Sequence, residues 1–202
     1  MASVFLPFIG QQYNQGIFGK KVLVLGESHY CDEKTKPEEF KNVTRNCVQA
    51  FLDKNAERER WMNTYRKFER ALANKVTSFE DSARIWDSLI FYNYLQEPMS
   101  KPRECGTLKQ YKAAAEPFFE TLNCYQPDVV IVWGIRLYNQ MPNENWEDGH
   151  QGIVVNDYKI NYGYYNMSNG KKITVLAIRH PSCPFSWTFW HKVLKTIICE
   201  TI

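Results

Sequence analysis

The sequence predicts an α/β protein: a three-layer α/β/α sandwich with a central, mainly parallel four-stranded sheet, plus a β-hairpin before the last strand. Three observations predict it. Short apolar runs alternate with segments of helical periodicity, the pattern of strands joined by crossover helices. The runs "KVLVLG" (21–26) and "PDVVIVWG" (127–134) are continuously apolar, as strands buried on both faces are. The 202 residues, 44% of them hydrophobic, suffice for one full core and not for two. One domain over 1–202 is expected.

In chain order, Lys21 to Leu25 reads as the first buried strand, closed by Gly26. Two helices are expected next, over 37–54 and 56–75. In the second, Trp61, Tyr65, Phe68 and Leu72 recur every three or four residues with charges between them, which marks a core-facing stripe. "IWDSLIFYNYL" (85–95) reads as a second strand ending near Asn93, and Pro98 and Pro102 mark the loop beyond it. From Thr107 to Cys124 the apolar positions return to helical spacing, with Pro117 expected to start a new helix or kink this one. The run 127–134 is the third strand. "VVNDYKINYGYY" against "KKITVLAI", turning at "SNGK", reads as an antiparallel hairpin whose second arm is the last parallel strand. Ser186 then caps a final helix through Cys199.

Composition narrows the function classes. A net charge of +3 and a pI near 8.4 permit a polyanionic partner but lack the strong basicity of an obligate nucleic-acid binder. The six cysteines are far apart, without the C-x-x-C pairs of zinc or iron–sulfur ligation, so reduced, mostly buried thiols and no metal are expected. The N-terminus has no basic leader and no run of about 18 apolar residues occurs, so a cytoplasmic protein without a membrane span is expected; a monomer is expected as well.

In open parallel sheets ligands bind beyond the carboxyl ends of the strands. "GESHY" (26–30), Asn93 and "RHPSCPFSW" (179–187) all follow such ends. Singly, each has a plain role: Glu27 capping loop amides, His180 satisfied by main chain, Asn93 forming a turn. Together they place an acid, an amide and an imidazole on one rim. One chemistry for that rim is acyl hydrolysis, with Ser28 as nucleophile in a "GESHY" elbow and His180 as base. Tyr30 stands where that elbow needs glycine, and no earlier strand supplies the second oxyanion amide.

The ordered set "VLVLGESHY", "IFYNYL", "PDVVIVWG" and "RHPSCPFSW" resembles the uracil-DNA glycosylase superfamily from about residue 20 to 200. There the first strand ends in GQDPY or GEAPG, the second in Asn, the third in an apolar run closed by Gly, and the last in HPSP. The resemblance implies excision of uracil or a related deaminated base from DNA, by water and without metal or cofactor. It implies that His180 and Glu27 are catalytic, with Ser28 at the position of the acid in GQDPY. It implies that Gly26, Tyr30, Asn93 and Ser182 contact the base. His29 stands where the family carries proline, and Glu33 matches the second acid of the GEAPG type. The cysteines of GEAPG-type iron–sulfur ligation are absent, so no cluster is expected.

The physics of excision asks for these groups. Breaking an N-glycosidic bond leaves an oxocarbenium-like sugar and places negative charge on the departing base. A neutral imidazole donor at a base carbonyl stabilises that charge, an amide reads the pairing edge, and a carboxylate near C1′ steadies the cation or orients water. After HPS, Phe185, Ser186 and Trp187 form the counterpart of the family's apolar wedge, entering a base stack or else packing under the last helix. Lys101, Arg103, Lys171 and Lys172 are candidate phosphate contacts. Because Ser28 carries no charge, the acid falls to Glu27, or to Asp32 or Glu33 if their loop folds back. The alternative function is a glycosylase-fold protein that binds nucleic acid or nucleotide without cutting.

Overall fold

The computed structural model describes residues 4–31, 36–101, 104–149 and 152–200. It is a mixed α/β fold with a mainly parallel central sheet. The elements run β1 (Phe8–Ile9), β2 (Val22–Gly26), a 3₁₀ helix (Pro37–Asn42), α1 (Val43–Phe51), α2 (Met62–Ala73), α3 (Phe79–Asp87) and β3 (Leu89–Asn93). There follow α4 (Leu108–Ala113), α5 (Ala115–Tyr125), β4 (Val129–Trp133), α6 (Ile135–Tyr138) and β5 (Trp146–Asp148). The chain closes with β6 (Ile153–Val155), β7 (Tyr158–Ile160), β8 (Tyr162–Asn166), β9 (Lys172–Ile178) and α7 (Trp187–Glu200).

The central sheet has seven strands, ordered β1-β3-β2-β4-β9-β8-β5, where four were expected. The inner four, β3-β2-β4-β9, are the anticipated parallel set. The additions are antiparallel edges: β1 on β3, and β8 and β5 beyond β9. Of these, β8 is an arm of the expected hairpin, whereas β1 and β5, of two and three residues, carry too little periodicity to be seen in a sequence. The expected hairpin is β8–β9, but its first arm is broken. Asn156 and Asp157, at φ of 48° and 65°, turn β6 back on β7 as a separate two-residue hairpin.

Alternation along the inner strands fixes the two faces. Val22 and Val24 point into one apolar cluster with residues of α1, α2 and α7, while Leu23 and Leu25 point into another with residues of α4 and α5. All four side chains are fully buried. The stripe predicted on α2 faces the first cluster, with Tyr65, Phe68 and Leu72 buried and Trp61 packed beside them.

The helices differ from the reading in three places. The span 37–54 opens as 3₁₀ helix, and α2 starts at Met62 because the charged stretch before it has no apolar face to bury. Ile85, Trp86 and Asp87 belong to α3, which Ser78 and Asp81 start with a reciprocal capping box. Pro117 is the third residue of α5, where its missing N–H costs no helical bond. The cysteines correct another expectation. All six are free, but Cys105, Cys124, Cys183 and Cys199 are exposed, in loops or on outward helix positions, and only Cys31 and Cys47 are partly covered. Among the described residues no helix is long and apolar enough to cross a membrane.

Candidate functional site

The parallel register brings the expected segments to one edge. Gly26 pairs with Asn93, and Trp133 pairs with Ile178, so β2, β3, β4 and β9 finish side by side. Gly26 is required there, because a β-carbon would lie 2.3 Å from Asn93 Oδ1. Gly134, at φ 111°, lets the chain turn off β4 beside His180.

His180 lies two residues past β9, half-buried, its ring edge-on to Trp133 at 6.1 Å. Its Nδ1 accepts from the Ser182 backbone N–H at 3.2 Å and from the Ser182 hydroxyl at 2.8 Å. A backbone N–H can only donate, so the neutral ring carries its hydrogen on Nε2. Among the described residues Nε2 has no hydrogen-bond partner. Burial holds the imidazole below its usual pKa; Glu27 opposes this and Arg136 reinforces it. The ring is therefore neutral at pH 7 with a donor to offer.

Glu27 is engaged differently. Its carboxylate, 11% exposed, accepts from the Tyr111 hydroxyl of α4 and from a guanidinium fork of Arg136 on α6. Arg136 Nε lies 2.9 Å from Oε1 and 3.1 Å from Oε2, and Nη1 reaches Cys105 Sγ at 2.9 Å. The carboxylate raises Arg136 further above its already high pKa, and burial, then Glu27, raises the Tyr111 phenol. Most of the carboxylate's charge is thus answered by protein, Arg136 donating to both oxygens and Tyr111 to Oε1.

His29 is a core residue. It is 7% exposed, and its Nε2 lies 2.8 Å from Thr44 Oγ1 and 2.8 Å from the Asn93 amide nitrogen. Burial pushes its pKa down to about 4, so the ring is neutral and Asn93 donates to it. The Asn93 amide, expected to read a base, thereby has an internal partner, with the residue 4% exposed.

Ser28 is half-buried and makes no bond to His180, whose hydroxyl partner is Ser182; the nucleophile–base contact of an acyl hydrolase is not formed among the described residues. Tyr30 is 46% exposed, and Ser182 is exposed. Ser186 caps α7, its hydroxyl accepting from Phe189 N at 3.3 Å. Phe185 stacks on Trp190 at 6.0 Å and 15°, and Phe185 and Trp187 are half-buried against the first apolar cluster, the packing outcome for the candidate wedge. Lys171 and Lys172 sit at the amino end of β9, the end opposite the rim, with Lys172 its first residue, and are paired with Asp128 and Glu147 at 2.7 Å each. Lys101 is exposed. Arg103, Asp32 and Glu33 lie outside the described residues.

Sequence reasoning missed Arg136 and Tyr111. Arg136 had a findable signal, since it stands two residues past Gly134 on the same rim as Glu27. Tyr111 had none, being one of several apolar positions on a helical stripe. Among the described residues no three His, Cys, Asp or Glu side chains group to hold a metal ion. In comparison with known proteins, the chain matches no family model and no curated sequence. Fold and site together define a mixed α/β protein with a neutral imidazole donor and an arginine-clamped carboxylate at the carboxyl rim of its parallel strands.

Proposed function

We propose that this rim is a nucleobase site and that the chain hydrolyses the N-glycosidic bond of uracil or a related deaminated base in DNA, as a cytoplasmic monomer of the uracil-DNA glycosylase-like three-layer type. The observation that carries the reading is the His180 ring, neutral and fixed by Ser182 with its hydrogen on Nε2. When the bond between C1′ and the base breaks, both electrons leave with the base, and its carbonyl oxygen gathers negative charge. A donor already oriented and partly desolvated stabilises that charge without reorganising. Water then adds to C1′ of the sugar cation, and its proton leaves to solvent or to the departing base. Glu27 contributes negative charge at the rim that steadies the sugar cation, attenuated by its Arg136 and Tyr111 partners.

A specific observation favours a second reading, binding without cleavage. Arg136 and Tyr111 answer the charge of Glu27, and Ser28 supplies none where the GQDPY motif has its acid. Oligonucleotides carrying uracil, hypoxanthine or xanthine separate the two. Hydrolysis yields alkali-labile abasic sites with wild-type protein. If wild type yields none on any of them while Ser28→Asp gains activity on uracil, the binding reading replaces the hydrolase.

A further inference from the structure

Residues 54–75 hold seven basic side chains against three acidic ones, an excess larger than the net charge of +3 on the whole chain. One of the three acids is withdrawn. Glu69 is 1% exposed and accepts from Thr77, Ser82 and the Trp86 indole, tying α2 to α3. Of the basic groups, Lys54 and Lys75 are paired with Glu80 and Asp81. Arg58, Arg60, Arg66 and Arg70 have no carboxylate partner among the described residues.

These arginines are gathered rather than scattered. Arg66 and Arg70 are one helical turn apart on α2, and Arg66 lies over the Phe51 ring at 6.0 Å. The Arg70 Nε is buried with no hydrogen-bond partner. Burial, and then the charge of Arg58, pull Arg66 below its usual pKa; Glu69 opposes the shift and Arg70 adds to it, so cations stand close to this guanidinium. Folding thus holds like charges together, a cost that a bound polyanion removes.

The cluster adjoins the rim. Lys67, between Arg66 and Arg70 on the helix surface, donates from Nζ to the Cys183 carbonyl at 3.0 Å, three residues past His180. On the other side, burial lifts the Cys47 thiol to about 11 with added contributions from Cys31 and Glu59. Cys31 directly follows Tyr30, and Glu59 stands between Arg58 and Arg60.

We propose that Arg58, Arg66 and Arg70, joined to the rim by Lys67, form a track for the phosphodiester backbone of the nucleic acid whose base occupies the His180 site. The track rests on the nucleobase reading for the identity of that polyanion. It reads no sequence, because phosphate contacts position a strand without distinguishing bases.

The test is fluorescence anisotropy of labelled single-stranded and duplex DNA across a salt titration. It compares wild type with the doubles Arg66→Gln/Arg70→Gln and Arg66→Lys/Arg70→Lys and with His180→Ala. Each phosphate contact contributes roughly 0.7 to the salt slope on single strands and roughly 0.9 on duplex. The Gln double is expected to lose affinity about tenfold and to lower the slope by roughly 1.4 and 1.8 in turn. The Lys double retains the wild-type slope, a result that a merely structural role for the arginines does not give, and His180→Ala, which removes no phosphate contact, retains the wild-type slope as well. Wild-type affinity and slope in the Gln double overturn the track, as does wild-type protein that binds no DNA at low salt. The two proposals fail separately. A Gln double with lowered slope, beside wild type that makes no abasic sites, keeps the track and removes the hydrolase. Excision by wild type with unaltered slope in the Gln double does the reverse.

Discussion

His29 and His180 both follow the carboxyl end of a parallel strand, yet the fold uses them in opposite ways. His29 has its Nε2 tied to Thr44 and Asn93, both at 2.8 Å, and is sealed under Phe5, whose ring lies 5.1 Å away. His180 has its Nδ1 tied to Ser182 and keeps Nε2 open among the described residues. Both rings are neutral at pH 7, and burial is the main cause in each. Which nitrogen the protein occupies therefore decides the role. One imidazole holds the loop after β2 to α1 and β3, and the other presents a donor.

Substitutions at the two histidines and their neighbours separate these roles. The largest effect belongs to His180→Ala, which should slow uracil excision about a hundredfold or more in single-turnover assays, the scale of losing one preorganised donor. Loss of DNA affinity in equal measure would assign His180 to positioning instead.

His29 should show itself in stability. Its pKa is about 4 in the folded protein and near 6.5 when unfolded, so the unfolded chain takes up the proton first as pH falls. The stabilisation is complete above pH 6.5 and declines toward pH 4, by about 3 kcal/mol from this group alone. Urea unfolding at both ends of that window measures the decline, and His29→Gln should flatten it. A decline of the same size in His29→Gln contradicts the assignment.

Glu27→Gln comes next. Because Arg136 already answers the carboxylate's charge, excision should fall only about tenfold, well short of His180→Ala. A loss equal to that of His180→Ala would make the acid, not the imidazole, the centre of the chemistry. Phe185→Ala should do least to binding. It removes half-buried packing on Trp190 worth about 1–2 kcal/mol of stability, while oligonucleotide affinity changes less than about threefold. A tenfold loss of affinity with unchanged stability would restore the wedge.

What the sequence made legible follows from range. β2 and β4 are readable because burial on both faces makes every residue apolar, and α2 because its stripe repeats with the helix. The rim followed from those strand ends, since parallel pairing aligns them. The contacts that set the chemistry lie far apart in the chain. Asn93 meets His29 across 64 positions and Arg136 meets Glu27 across 109, and no local pattern announces either bond. α3 was hidden because Ile85 and Trp86 run straight into β3, although Ser78 and Asp81 carried a start signal at the other end of the helix. Phe185 was open to two readings because an aromatic after HPS suits a wedge and a core contact equally, and only its stack on Trp190 distinguishes them.

The division of labour between the two histidines is tested most directly by imidazole nitrogen NMR at pH 7, with and without 2′-deoxyuridine. The account predicts both rings neutral, His180 protonated on Nε2, and a shift of the His180 Nε2 resonance on adding the nucleoside while His29 stays unmoved. A His180 ring that is charged or protonated on Nδ1, or a nucleoside that perturbs His29 and leaves His180 unchanged, would contradict it.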